Sequence, residues 1–260
     1  MSLKKIDPET GLTARQRNLL FAVVKEYCEF GSTVSSQELK QKYNFDISPA
    51  TIRNEFIELR NLGFLYQPFT NSSSQPTEKS FKLFINQLIM GLQVTNKHQQ
   101  ELRGQLQELQ LKHEGMEKEI SRLLAAETNS VGFAVTVDNQ TVMGLKNLLT
   151  EGQTDQTANI LDFLENIGQN KKYFLDQGKS DINSSSPKSK SKDGQLSAIF
   201  GMDNPVLPLG KGYALVSTKA KINNQETVFG VITQPHILGR KKTLQILKTL
   251  KQVLEEDNQN

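Results

Sequence analysis

Apolar residues near the start of the chain recur at helical spacing and predict two helices. Thr13 can cap the first, which ends near Gly31, and Ser35 or Ser36 can cap the second, which runs to Tyr43. The apolar side of the first helix consists of Leu20, Val23, Val24 and Tyr27. Short connections join both helices to a third, so we expect one compact unit.

The third helix has both of its ends marked by sequence. Ser48 is a suitable N-cap, Pro49 fits the first helical position, where no amide donor is needed, and Gly63 can close the helix in a left-handed conformation. The residues that the apolar spacing buries are Ile52, Phe56 and Leu59. The residues that it turns outward are Ala50, Thr51, Arg53, Asn54 and Ile57. A DNA groove would meet that outward face.

The segment after the third helix resembles a wing. Residues 64–67 predict a short strand, residues 68–76 form a polar loop rich in Ser, and residues 77–84 resume an apolar pattern. Together with the three helices, this predicts a winged helix-turn-helix, whose second helix of the pair enters the major groove while the wing lies along the backbone or minor groove. The alternative is a winged helix that serves only as a scaffold or protein-contact module.

A heptad pattern follows and predicts a long helical connector. Its apolar positions are Phe81, Ile85, Leu88, Leu92, Leu102, Leu106, Leu109, Met116, Ile120 and Leu123. Two interpretations stand side by side. In one, the seven positions from Leu92 to Leu123 pair two chains in a coiled coil; in the other, one or two helices pack on their own domain. Gly104 and Gly115 each cost about 1 kcal/mol relative to Ala, which argues against a strong isolated coiled coil.

The last part of the chain alternates strands and helices and predicts an α+β domain. Strand character appears at residues 131–137, 196–202, 213–222 and 226–233, with a turn at 223–225. Helical character appears at residues 145–149 and 160–167 and from about Gly239 onward. Residues 183–193, rich in Ser and Lys, predict a mobile loop. The predicted division is residues 1–79, 80–127 and 128–260.

Composition and charge narrow the function classes. The 260 residues are 36% apolar, and no apolar run has the length of a membrane span, so we expect a cytoplasmic protein. Residues 1–90 hold 11 basic and 9 acidic side chains, a modest excess for a DNA binder. Cys28 is the one cysteine, and we expect it to pack in the core and not to act as a redox sensor. The three histidines are scattered and no glycine-rich phosphate loop occurs, so we predict no enzyme, metal site or cofactor.

Two blocks of residues resemble one family, the heat-inducible transcription repressors HrcA. The first block comprises Leu12-Thr13-Ala14-Arg15-Gln16, Ser48-Pro49-Ala50-Thr51-Ile52-Arg53-Asn54-Glu55, Leu62-Gly63-Phe64-Leu65, Gln67-Pro68-Phe69-Thr70 and Pro76-Thr77-Glu78-Lys79. The second comprises Met143-Gly144-Leu145-Lys146-Asn147-Leu148-Leu149, Gly212-Tyr213-Ala214-Leu215-Val216 and Phe229-Gly230-Val231-Ile232-Thr233-Gln234-Pro235. The resemblance implies a GAF-like C-terminal domain and a homodimer on an inverted-repeat operator, CIRCE, at heat-shock chaperone genes. It also implies a GroEL-type chaperonin as partner and a bacterial cytoplasmic location, on the nucleoid when DNA is bound.

The chain departs from the family pattern at two places. The family wing usually carries a Gly-Arg pair where this chain has Ser73 and Ser74. Between Val137 and Met143 the chain runs straight on, where family members carry an inserted domain that contributes to dimerization, so this resembles a shortened member. The predicted DNA-binding residues are Ser48, Ala50, Thr51, Arg53, Asn54, Thr70, Ser73 and Ser74. For Arg53 the alternative is an ion pair with Glu26 or Glu29 inside the domain.

Overall fold

A computed structural model of the chain describes residues 6–8, 10–69, 73–110, 115–148, 154–169, 196–201, 209–210, 212–222 and 225–257. The chain divides into two compact units. The first contains Met1–Leu88 and Pro235–Arg240, and the second contains Ile89–Gln234 and Lys241–Asn260. Thr70 and the predicted loop at 183–193 lie outside the described residues.

The first unit begins with three helices, as predicted. They are α1 (Ala14–Phe30), α2 (Ser36–Tyr43) and α3 (Pro49–Asn61). Thr13 and Ser35 each form a capping box, in which the cap side chain and the side chain three residues later satisfy each other's backbone amides. Ser48 caps α3, and Pro49 occupies its first turn. The cap predictions are therefore confirmed, and of the two candidates for α2 the cap is Ser35.

A short antiparallel ribbon and a fourth helix complete the main chain of this unit. Gly63 has a φ of 73°, a left-handed value that favours glycine and lets the chain leave α3. Strands β1 (Leu65–Tyr66) and β2 (Gln75–Pro76) pair antiparallel, and α4 (Glu78–Met90) follows. The short helix α8 (Pro235–Leu238) also belongs to this unit.

The core of the first unit combines aliphatic and aromatic side chains. Its most buried members include Leu12, Leu19, Leu20, Val24, Leu39, Ile52, Leu59, Phe64 and Ile85. Edge-to-face ring pairs join α1 to α4, with centroids 5.4 Å apart for Phe21 and Phe84 and 5.9 Å apart for Tyr27 and Phe81. Helix α4 therefore packs on α1 in this unit through Phe84 and through Phe81, which the heptad pattern placed at the start of the connector.

The second unit is built on a five-stranded antiparallel sheet. Its strands are β3 (Val131–Val135), β4 (Gln140–Met143), β5 (Ser197–Phe200), β6 (Ala214–Ile222) and β7 (Gln225–Thr233). Their order across the sheet is β4-β3-β7-β6-β5. The four predicted strands are confirmed with shifted ends, and Ile222 pairs with Gln225 across the predicted turn. Strand β4, at one edge, was not predicted.

Side chains from alternate positions cover both faces of this sheet. On one face, Phe133 and its neighbours pack against the 3-10 turn Leu145–Leu148 and helix α7 (Thr154–Gln169). On the other face, a Cβ built on Gly132 would lie 2.2 Å from the carbonyl oxygen of Ser121 in α6, so the close approach of α6 requires glycine there. Because both faces are covered, β3 is buried along its whole length.

The connector is three helices rather than one continuous rod. After α4, the chain forms α5 (Asn96–Gln110) and α6 (Met116–Thr128), and the last helix of the chain is α9 (Lys242–Asp257). Helix α5 lies along α9, where the Gln99 amide donates to Gln252 over 3.2 Å and Arg103 pairs with Glu256 at 2.6 Å.

The predicted dimerization seam is occupied within the chain. The buried seam residues are Leu92, Leu102, Leu106, Ile120 and Leu123. Met116 is half-buried at the start of α6, and the side chain of Leu109 lies outside the described set. A heptad stripe cannot distinguish a second chain from the chain's own helix, and here α5 contacts α9 while α6 contacts the sheet. The structure therefore favours the second interpretation, helices packed on their own domain. No helix in the described ranges is long and apolar enough to cross a bilayer.

Candidate nucleic-acid interface

Helix α3 presents one continuous exposed face. At about 100° per residue, Ala50, Ile57 and Asn61 fall near one line along the helix, with Arg53 to one side and Asn54 to the other. All five are exposed, whereas Thr51, which lies toward the edge, is half-buried. The opposite line holds Ile52, Phe56 and Leu59, which are buried. The predicted division of α3 into an inward and an outward face is confirmed.

A charged residue on the inner side of α3 fixes the helix to α1. Glu55 is 6% exposed, and its carboxylate accepts a hydrogen bond from the Arg15 guanidinium, with which it also forms an ion pair. A buried carboxylate without such a partner would be costly, so the pair constrains how α3 lies against α1. The sequence predictions missed this pair. The sequence did contain one indication of it, because Glu55 is a charged residue directly beside the buried Phe56.

Arg53 is exposed and available to a partner outside the domain. Its Nε donates a long hydrogen bond, 3.5 Å, to the carbonyl oxygen of Pro49, and it forms no ion pair within the described residues. Glu26, one of the acids considered for it, is buried and already bound, by Lys42 Nζ at 2.8 Å and by the Tyr43 hydroxyl at 2.7 Å. The alternative of an internal pair for Arg53 therefore fails at Glu26.

The start of α3 uses its polar side chains for capping. Ser48 Oγ accepts a hydrogen bond from the Thr51 amide over 3.1 Å, and it lies 2.9 Å from Thr51 Oγ1. Ser48 is nevertheless exposed, and both hydroxyls retain hydrogen-bonding capacity. The structure thus keeps Ser48 and Thr51 at the helix start, where a phosphate oxygen would also meet backbone amides.

The ribbon differs from the prediction at Ser74. Ser74 is 5% exposed, and its Oγ accepts a hydrogen bond from the Arg60 guanidinium over 2.8 Å. Ser74, which immediately precedes β2, therefore points toward α3. It braces the ribbon against that helix instead of facing a groove. Ser73, the neighbouring candidate, is exposed. Lys79 is also engaged, since its Nζ donates to the Leu62 carbonyl over 2.9 Å and lies 4.1 Å from the centroid of the Phe64 ring.

The cysteine of this unit, Cys28, is free and buried. Burial raises the pKa of the Cys28 thiol to about 12, so the thiol stays protonated at neutral pH. Its carbonyl oxygen accepts a hydrogen bond from Arg240 Nε over 2.7 Å. Across the part of the chain that the structure describes, no group of His, Cys, Asp or Glu is arranged to hold a metal ion. Among the described residues, the exposed face of α3 is thus the strongest candidate for a functional surface.

Sequence comparisons relate the chain to a group of transcription repressors. Over 177 residues the chain is 32% identical to the heat-inducible transcription repressor HrcA of Clostridioides difficile (strain 630), in an alignment that covers 65% of this chain and 51% of that repressor. Over 78 residues it is 40% identical to the repressor of the same name from Natranaerobius thermophilus, which covers 30% of this chain and 23% of that one. The chain is related by sequence to the HrcA repressors.

The chain aligns with only part of each HrcA protein that it matches. It spans about half the length of the first repressor and less than a quarter of the second. No protein-family model matches the chain. These HrcA relatives are named as repressors of transcription and not as enzymes.

A solved structure shares the fold. The crystal structure of a hypothetical protein matches with a TM-score of 0.64 at 16% identity, covering 94% of this chain and 99% of that chain. At this identity the likeness concerns the fold alone. The fold of the present chain therefore also occurs in a protein whose crystal structure is known.

Proposed function

We propose that the chain is a DNA-binding transcriptional repressor that reads an operator through the exposed face of α3. The observation that carries the proposal is that Arg53 and Asn54 lie side by side on the exposed face of α3. The opposite face of this helix is buried in the core of the first unit. Arginine binds guanine and asparagine binds adenine through paired hydrogen bonds in the major groove. The relation to HrcA repressors supports the same function.

We interpret the first unit as a winged helix-turn-helix and the second as a GAF-like domain. Support for the first comes from three helices followed by an antiparallel ribbon. Support for the second comes from a five-stranded antiparallel sheet covered on both faces by helices. In this interpretation α3 enters the major groove, and Ser73 lies in the wing near the backbone or minor groove.

Two copies of the chain are proposed to bind an inverted-repeat operator of the CIRCE type at heat-shock chaperone genes. One helix reads few base edges, so joining two half-sites raises affinity through effective concentration. By the same relation, we propose a GroEL-type chaperonin as a partner that maintains active repressor, and action in the cytoplasm. Sedimentation on a full-site duplex tests the dimer, because two bound chains are expected on each duplex and a single bound chain would contradict the proposal.

The test of the central proposal compares operator binding by the full chain and by Arg53→Ala and Asn54→Ala. The probe is a fluorescent duplex from upstream of the chaperonin genes of the source genome, followed by anisotropy. Losing one base contact made by two hydrogen bonds costs about 1 to 3 kcal/mol. Each substitution is therefore expected to lower the affinity for each half-site about 5- to 150-fold. Unfolding free energies should stay within about 0.5 kcal/mol of the wild type, because both side chains are exposed.

Lys146→Ala is the matched control. It removes one positive charge from an exposed position in the second unit, so it changes net charge as Arg53→Ala does. We expect affinity for the operator to be retained in this variant. Equal weakening by Lys146→Ala and Arg53→Ala would mean that only net charge matters. Unchanged affinity in both α3 variants would favour the scaffold function over the repressor.

A further inference from the structure

Ile57 stands out on the proposed reading face because it is large, apolar and exposed. It is 46% exposed in the middle of α3. The other large apolar side chains exposed in the described part of the first unit lie elsewhere: Ile6 near the start, Phe30 and Leu62 at helix ends, and Tyr66 and Phe69 in or after β1. Single exposed apolar residues are common and need no explanation by themselves. The position of Ile57 among its neighbours is what carries an inference.

Ile57 lies between the two polar residues that are proposed to read bases. At about 100° per residue, Ile57 falls between the line of Arg53 and the line of Asn54, and within about 20° of Ala50. It follows Arg53 by four positions and Asn54 by three, spacings at which Cβ atoms lie about 5–6 Å apart. A base pair bound by Arg53 or Asn54 would therefore bring a neighbouring base pair against Ile57.

The major groove offers one apolar group to such a side chain, the C5-methyl of thymine. We propose that Ile57 reads a thymine methyl and so determines specificity at one position of each half-site. Base pairs rise about 3.4 Å along the duplex, so the thymine should lie within about two base pairs of those contacted by Arg53 and Asn54. This inference rests on the proposed function, and it adds a sequence requirement that hydrogen bonding by Arg53 and Asn54 does not supply.

The test removes the methyl group without changing base pairing. Duplexes are first enriched from a random pool with the full chain, and each thymine of the enriched site is then replaced singly by deoxyuridine. For the wild type, one replacement per half-site is expected to weaken binding about fourfold, the equivalent of about 0.8 kcal/mol for a buried group of methyl size. Ile57→Ser should bind the thymine duplex more weakly and should not distinguish thymine from uracil at that position.

Two further variants control the test. Ile57→Val keeps a β-branched apolar side chain and should retain most of the discrimination between thymine and uracil. Leu62→Ser changes another exposed apolar residue, 38% exposed and turned well away from the Ile57 line, and should leave discrimination intact. Far-UV circular dichroism checks that each variant is folded, which is expected because both positions are exposed.

The outcomes separate this inference from the proposed function. If a duplex is enriched but no thymine is sensitive to replacement, the repressor proposal stands and the role of Ile57 is refuted. The same holds if Ile57→Ser keeps the full discrimination of the wild type, since another residue then reads the methyl. If no duplex is enriched at all, the proposed function fails and the inference fails with it.

Discussion

The ion pair between Arg15 and Glu55 predicts an asymmetric response to substitution. The Glu55 side chain is 7% exposed and that of Arg15 is 41% exposed. Arg15→Met keeps the apolar stem but leaves a buried carboxylate without its charged partner. Glu55→Gln keeps the volume and leaves a guanidinium that water can still reach. The first substitution should therefore destabilise the protein more than the second.

The exposures also set the magnitudes. Breaking a fully buried pair costs about 3 to 5 kcal/mol, whereas an exposed pair contributes about 0 to 1 kcal/mol. Because Arg15 is partly hydrated, we expect about 2 kcal/mol for Arg15→Met and about 1 kcal/mol for Glu55→Gln. In the double variant the losses should not add, since the carboxylate that Arg15→Met strands is then absent.

Urea unfolding of the full chain, followed by far-UV circular dichroism, measures these free energies. Operator affinity measured well below the unfolding transition should stay within about threefold of the wild type for Arg15→Met, because Glu55, its partner on α3, lies on the side of that helix away from the proposed reading face. Equal losses for the two substitutions, or a larger loss for Glu55→Gln, would refute the reasoning from burial.

Three further predictions concern single positions. Gly132→Ala should destabilise the second unit by at least about 2 kcal/mol in urea unfolding, because the added Cβ would meet the Ser121 carbonyl; a neutral result would contradict the close approach. Cys28 should react with a thiol reagent at pH 8 far more slowly in the folded than in the denatured chain, since a pKa of about 12 leaves about one thiolate in ten thousand; rapid labelling of folded protein would refute this. Burial, with a smaller effect of Arg240, lowers the pKa of His236 below its ordinary 6.5. The unfolded chain therefore binds more protons than the folded chain, and stability should fall as the pH drops below that value. His236→Gln should flatten this dependence in thermal melts at pH 5 and 7.5.

Local signals in the sequence were sufficient for the helices of the first unit. The caps at Thr13 and Ser48 act through neighbouring amides, so three or four residues of sequence contain the whole interaction. The two faces of α3 also follow from spacing alone, which is why Arg53 and Asn54 were predicted to face outward.

Features that depend on distant parts of the chain were beyond reach. Ser74 turns inward because Arg60, fourteen residues earlier, binds its hydroxyl. Strand β4 is a half-exposed edge strand with little apolar alternation, and its pairing with β3 defines it. The seam leucines pointed to a partner helix, but the heptad pattern carries no information on whether that partner is a second chain or α9.

Chemical protection of the operator tests the central claim most directly. Dimethyl sulfate methylates guanine N7, an atom exposed only in the major groove. With the wild-type chain, we expect guanines to be protected in two symmetric segments of the duplex, and Arg53→Ala at the same occupancy should lose at least one protected guanine in each segment. Full occupancy without any protection of guanine N7 would contradict the account, because α3 would then lie outside the major groove.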